Sequence, residues 1–399
     1  VEAGPPDRVY RAISWLRHHR ALAIGAAAVL LTLIAGASVS TLMALRERDA
    51  RQSAEQVVDF LNSIFAGLDP VVAQGRDRTL LTLAIDQAGA SLKNTAMTPA
   101  VEARLVGVLA GSYFVVGEFA KSYPLAQRSF DLTRRLYGPD DPRVIDALRL
   151  LIEVRNSSVD PDPMPWLMPA ARELEERANR VLPRGSRARI KALTVALLGS
   201  KATYEQAVSA FEALIAEAEE SLGKTDRLTL TVLRRAAKHR TADPAWALNA
   251  IREARRRAIG AYGPDDPETE LGLATESWAT ALVEGNDAAT VLLRGRLAHA
   301  TEVLGPLAQP VFVSRYNLGS SLVDQGAYAE AEEVDRRMWA GRPNGPNLSA
   351  ELWIEMARAW IAAGRPQRAA EYTEHLDRTW PEIARKLDAA LRTGEESKR

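Results

Sequence analysis

The chain has 399 residues, 51 basic against 51 acidic, and no cysteine. That length exceeds what one compact helical core comfortably fills and suits an array of repeated units. Balanced charge argues against gripping nucleic acid as the main task, and the missing cysteines exclude disulfide scaffolds, zinc ribbons and thiol chemistry. The first residue is Val rather than Met, so we expect a longer protein whose N-terminal domain precedes this sequence.

After a basic segment at 1–20, residues 21–45 form an uninterrupted run of 25 uncharged, mostly apolar residues between Arg20 and Arg46. At about 1.5 Å per residue, such a run exceeds the ~30 Å hydrocarbon core and predicts a transmembrane helix. It is longer than the apolar region of a usual signal peptide and continues into a charged, helix-forming stretch without a break. Arg8, Arg11, Arg17 and Arg20 precede it and Arg46, Arg48 and Arg51 follow. The basic residues lean towards a cytoplasmic N-terminus. The expectation is therefore a single-pass protein of a bacterial inner membrane with its repeat domain in the periplasm. Ala28, Thr32, Gly36 and Ser40 fall every four residues within the run, a small-residue stripe through which two spans could pack as a homodimer.

Residues 46–95 read as a helical stalk with capping helices. Val57, Phe60, Leu61, Ile64, Phe65 and Leu68 recur at helical spacing until Asp69-Pro70 ends the pattern, and a second helix is expected from about Thr79 to Leu92.

A repeat organises the remainder, 96–390, ahead of a polar tail at 391–399. Tyr137-Gly-Pro-Asp-Asp-Pro142 reappears word for word at Tyr262-Gly-Pro-Asp-Asp-Pro267, a gap that holds three periods of about 42 residues. Weaker turn signals fall where that period requires them: Pro183-Arg-Gly-Ser, Gly223-Lys-Thr-Asp, Gly305-Pro-Leu-Ala and Pro343-Asn-Gly-Pro. Such a period marks stacked helical hairpins, each unable to bury its apolar face by itself. The fold class is accordingly all-α: a single transmembrane helix followed by an α-solenoid.

The units resemble tetratricopeptide repeats of the roughly 42-residue variety. The match is carried by Leu318-Gly319, Gly326, Tyr328 and Ala331 in one unit and by Trp353, Trp360, Gly364, Ala369 and Pro381 in the last. The first unit has Leu109, Tyr113, Gly117 and Phe119, while Tyr204, Ala207, Phe211 and Gly285 remain in degenerate middle units. A wider resemblance joins Tyr10, Trp15, Arg17, His19 and Arg20 to 55–65 and Asp69-Pro70. That order of parts is similar to bacterial membrane-linked serine/threonine kinases with a tetratricopeptide tail. It implies the non-catalytic C-terminal part of a signalling protein, with ATP and magnesium confined to a kinase head elsewhere. A membrane-tethered scaffold and a membrane-bound winged-helix regulator share enough of the tail to stand as alternatives. The kinase motifs are absent from these 399 residues.

No catalytic residue, cofactor or metal site is expected. The five histidines, His18, His19, His239, His299 and His375, have no acidic residue at ligand spacing. Binding is the better supported class, with a protein or peptide ligand in the concave groove of the array. Asn317 stands where related repeats place an asparagine that holds a ligand backbone, or else it ties helix to helix. Tyr316, Ser320 and Val323 share its helix face, and Ile354 with Arg358 would serve in the last unit. A second candidate is basic: Arg234, Arg235, Lys238 and Arg240 on one helix and Arg252, Arg255, Arg256 and Arg257 on the next. Antiparallel pairing could join them as a patch for an acidic partner, although a charge run also suits a solvated face.

Overall fold

In the computed structural model the described residues are 78–93, 97–116, 118–157, 164–199, 203–306, 308–340, 357–379 and 384–385. All fall within one unit, Ser63–Arg399. The chain is an all-α solenoid of tetratricopeptide-like helical hairpins.

A leading helix, α1 (Arg78–Lys93), covers the stretch expected from about Thr79 to Leu92. Six hairpins follow: α2 (Pro99–Val116) with α3 (Phe119–Tyr137), α4 (Pro142–Ser157) with α5 (Met164–Val181), and α6 (Arg187–Ala196) with α7 (Tyr204–Leu222). Next come α8 (Arg227–His239) with α9 (Pro244–Tyr262), α10 (Pro267–Glu284) with α11 (Asn286–Leu304), and α12 (Gln309–Asp324) with α13 (Tyr328–Ala340). A helical segment at 357–362 and α14 (Pro366–Thr379) continue the pattern. The first helices of successive hairpins begin at Pro99, Pro142, Arg187, Arg227, Pro267 and Gln309, a spacing of about 42 residues, the period expected of such an array.

The turns that set this period work as the sequence suggests. After α9 the chain leaves the helix at Gly263, whose φ of 90° is open only to glycine at little cost. Three residues later Asp266 accepts from the Glu268 N–H at 2.9 Å and caps α10. The same construction recurs at Gly223 and Asp226, where the cap bond to Leu228 N is 2.8 Å. Asp141 likewise accepts from Arg143 N at 2.9 Å. The Pro343-Asn-Gly-Pro turn lies outside the described residues.

Tight packing follows from small residues facing large ones. Phe211, Ile145, Leu151, Leu174, Ile190, Leu230 and Ile251 are all essentially inaccessible, interleaved with Ala126, Ala178, Ala218 and Ala237. Among the repeat-signature residues Ala331, Trp360 and Ala369 are fully buried, and the Tyr328 and Trp360 rings lie 5.9 Å apart. Tyr204, by contrast, is exposed at the start of α7.

The two helices of each hairpin are not equivalent. The first helices, α2, α4, α6, α8, α10 and α12, adjoin one another in sequence, whereas no two successive second helices adjoin among the described residues. Long arginine side chains cross the wider spacing instead, as in Arg257 on α9 to Glu219 on α7 at 2.5 Å and Arg294 on α11 to Glu330 on α13 at 2.9 Å. A stack with one closely spaced layer and one splayed layer bends towards the former. The first helices therefore form the inner wall of the array.

The expected inner-membrane placement, with the repeats in the periplasm, is corrected. No helix among the described residues is long and apolar enough to cross a membrane. Even α2, the most apolar of them, has 18 residues, about 27 Å, and carries Glu102 and Arg104. The run at 21–45 with Ala28, Thr32, Gly36 and Ser40, and the stalk pattern from Val57 to Leu68, lie outside the described residues.

Candidate functional site

The inner wall presents its solvent-facing side chains in rows. Counting from the first residues of α4, α8, α10 and α12, the fifth positions are Asp146, Thr231, Leu271 and Val313. The ninth are Leu150, Arg235, Thr275 and Asn317, and the twelfth are Glu153, Lys238, Trp278 and Ser320. Spacings of four and three residues keep these three rows on one helix face. Most of their members are exposed or half-buried in an otherwise buried layer.

Asn317 lies on this face with its amide engaged. Its Nδ2 donates to the Ala274 carbonyl at 2.7 Å and to Ser277 Oγ at 3.1 Å, tying α12 to α10. Arg235, at the same position of α8, makes the equivalent contact: Nη1 donates to the Thr194 carbonyl of α6 at 3.5 Å. Tyr316 and Val323 are buried in the local core, so they support the face from beneath rather than line it. Ser320 is half-buried in the twelfth-position row. Arg358 is exposed on the segment 357–362, and Ile354 lies outside the described residues.

The two arginine-rich helices do not merge into one basic patch. Arg234, Arg235 and Lys238 stand on the inner side of α8, whereas the arginines of α9 find carboxylates of their own. Arg252 and Arg255 converge on buried Glu276 of α10 at 3.0 and 3.1 Å, and Arg252 also meets Glu284 at 2.8 Å. Arg256, largely exposed, pairs with Glu253 at 2.6 Å, and Arg257 bridges Glu219 and Glu253. Arg240 reaches Glu212 at 2.6 Å and stacks on the Trp246 ring at 4.4 Å.

On α8 itself, Arg234 is buried and pairs with Glu268 of the next inner helix. Burial and the neighbouring Arg235 bring its guanidinium down to about 10, still cationic near neutrality. Arg235 crosses α6 to reach Glu153 of α4 at 3.4 Å, a loose pair with the arginine 31% exposed. Lys238 is open to solvent. Surrounding protein, followed by Arg234 and Arg235, nevertheless holds its ammonium below the ordinary lysine range. His239 next to it is also pushed down, by burial and by Arg235, with its ring 5.2 Å from Phe211.

Sequence reasoning passed over Glu153, Leu271 and Trp278. The signal was present in the repeat: Trp278 stands at the same place in its helix as Lys238, and Leu271 at the same place as Thr231.

With this geometry in place, comparison with known proteins is informative at the level of fold. No protein-family model matches the chain, and no curated protein matches its sequence. Among solved structures, a Rap protein crystallised in complex with Competence and Sporulation Factor superposes with a TM-score of 0.54. It shares 11% identity over 78% of this chain and 81% of its own. A kinesin light chain with nearly identical tetratricopeptide-like repeats from Podosopora anserina gives a TM-score of 0.31. It shares 13% identity over 62% of this chain and 97% of that one. Both comparisons are with helical-repeat proteins, and the Rap likeness shows that the tetratricopeptide-like fold is shared.

Proposed function

We propose that the array is a recognition domain that holds a peptide or short protein segment along its inner wall. The observation that carries this reading is the inner wall itself: adjoining helices present aligned rows of half-buried polar, charged and aromatic side chains, with none of the other described helices packed over them. Such surfaces recur where repeat proteins take extended or helical segments. A solved fold neighbour, in complex with Competence and Sporulation Factor, adds support from a protein of related architecture.

The test is to select binders from a displayed random dodecapeptide library on the full chain and map them by hydrogen exchange. Protection is expected on α4, α8, α10 and α12. Protection confined to α5, α7, α9 and α11 would remove the inner-wall reading.

A narrower reading makes the array the regulatory part of a serine/threonine kinase. Its support is the motif set between Tyr10 and Pro70 together with the two Tyr-Gly-Pro-Asp-Asp-Pro turns. A kinase reading frame continuous with the codon for Val1 is expected; a different domain in that position ends this reading.

A further inference from the structure

We propose that the stretch of inner wall between α8 and α10 takes a segment carrying a carboxylate beside a large apolar side chain. The carboxylate lies on Lys238 and the apolar group on a shelf of Leu271, Trp278 and Leu282. This deepens the inner-wall reading and rests on it.

Three observations lead here. First, on the neighbouring helix Arg252, Arg255, Arg256 and Arg257 all have carboxylates within 3.1 Å. Lys238 is different. Among the described residues no carboxylate lies within ion-pair distance of its ammonium, yet it stands exposed in the inner row near Arg234 and Arg235, which surround it with like charge. A cation held in that position lacks the counter-charge that a ligand would bring.

Second, the neighbouring helix changes character at the same register. Lys238 and Trp278 are each the twelfth residue of adjoining helices starting at Arg227 and Pro267. Packed helix axes lie about 10 Å apart, so neighbouring side chains of one segment can reach both. Leu271 and Trp278 are half-exposed and Leu282, one turn further along the same face, is 52% exposed. Charge and apolar surface are thus placed side by side, which selects against a purely polyanionic ligand such as nucleic acid. A peptide with an acidic and an aromatic or branched side chain fits both.

Third, Arg235 is only loosely engaged. Its contacts with Glu153 at 3.4 Å and the Thr194 carbonyl at 3.5 Å are at the outer limit of hydrogen bonding. A ligand carboxylate on Lys238 competes with Glu153 for Arg235, so the guanidinium can turn from α4 to the ligand without leaving a buried charge unpaired.

The experiment uses the full chain and an immobilised random nonapeptide library. Expected is enrichment of peptides with Asp or Glu within four residues of Phe, Leu or Trp. On an enriched peptide, K238E should weaken binding about ten-fold or more and reverse the charge preference of a fresh selection to Lys or Arg. L282D, at an exposed position that does not endanger the fold, should remove the apolar preference while keeping the acidic one. R256E changes net charge equally at an exposed position of α9 and should leave both preferences intact. Peptides retained without acidic preference, or a preference that R256E reverses as readily as K238E, would overturn the proposal and leave the inner-wall reading standing. Retention of no peptide at all overturns both. Displacement of every retained peptide by an unrelated duplex oligonucleotide would assign the site to phosphate instead.

Discussion

Asn317 and Arg235 occupy the same position in two different repeats and make the same bond, each donating to a main-chain carbonyl of the preceding inner helix. For Asn317 the acceptor is Ala274 at 2.7 Å and for Arg235 it is Thr194 at 3.5 Å. In α8 and α12, position nine is therefore a rung that links one hairpin to the one before it. One side chain can hold helices at a fixed distance and still border the groove, because the inner face is where adjacent helices are closest.

If that rung is structural at Asn317, Asn317→Ala should cost about 1 kcal/mol of stability. Asn317→Asp should cost more, about 2 kcal/mol, since a carboxylate would face the Ala274 carbonyl with no proton to offer. Urea unfolding followed by circular dichroism distinguishes them. Equal losses for the two variants would mean that the amide donor is not what matters. Unchanged stability with lost ligand binding would return Asn317 to the role of ligand contact.

The turn between hairpins carries its own bracket. Arg227 at the start of α8 donates to both carboxylate oxygens of Asp266 at 2.8 Å and lies 4.1 Å over the Tyr262 ring, whose hydroxyl donates to the Thr225 carbonyl at 2.7 Å. Asp266 also caps α10. Asp266→Ala removes cap and bridge together and should cost about 1–2 kcal/mol. Arg227→Ala removes a half-exposed partner and should cost less than about 1 kcal/mol. A double-mutant cycle in urea reads the pair, and an arginine loss exceeding the aspartate loss would contradict this assignment.

Gly263 isolates a backbone effect. A Cβ built there meets nothing within 4 Å, so the penalty of Gly263→Ala comes from its φ of +90° and not from a clash. The expected cost is about 1–3 kcal/mol, and Gly263→Asn should be no milder, because with ψ at 168° the residue lies outside the left-handed helical region that asparagine tolerates. Losses near zero for both Ala and Asn at this position would show that conformation is not the cause.

Acid should weaken the array partly through Glu217. This buried carboxylate on α7 is pushed up by desolvation, but Arg189 and the Gly185 N–H at 2.8 Å outweigh that and leave it below the usual value of 4.5. A depressed folded value means the contribution is full above about 4.5 and is lost as pH falls through the lower value in the folded state. Thermal unfolding between pH 7 and 3 should therefore show a steeper acid decline in the wild type than in Glu217→Gln. The variant should already be about 1–3 kcal/mol less stable near neutrality. Parallel profiles would dissociate Glu217 from the acid response.

Much of the fold was legible before any coordinates. A repeated hexapeptide specifies a helix end, a left-handed glycine and a capping aspartate, all local events that depend on neighbours in the chain, so Gly263, Asp266 and the period of about 42 residues could be read directly. The cellular placement was not recoverable in this way. An apolar run at 21–45 predicts a span from hydropathy, and no helix among the described residues is long and apolar enough to cross a membrane.

Only the tertiary structure decided which cations remain available. Arginine side chains are long enough to reach either of two neighbouring helices, and whether one is neutralised depends on what those helices carry at the same height. Arg252 and Arg255 meet Glu276, while Lys238 stands near Arg234 and Arg235 of its own helix, with Trp278 at the same position of the next inner helix. Local sequence dictates turns and periodicity through short-range sterics and hydrogen bonds; the pairing of charges across the inner wall requires the register of helices 40 or so residues apart, which packing alone supplies.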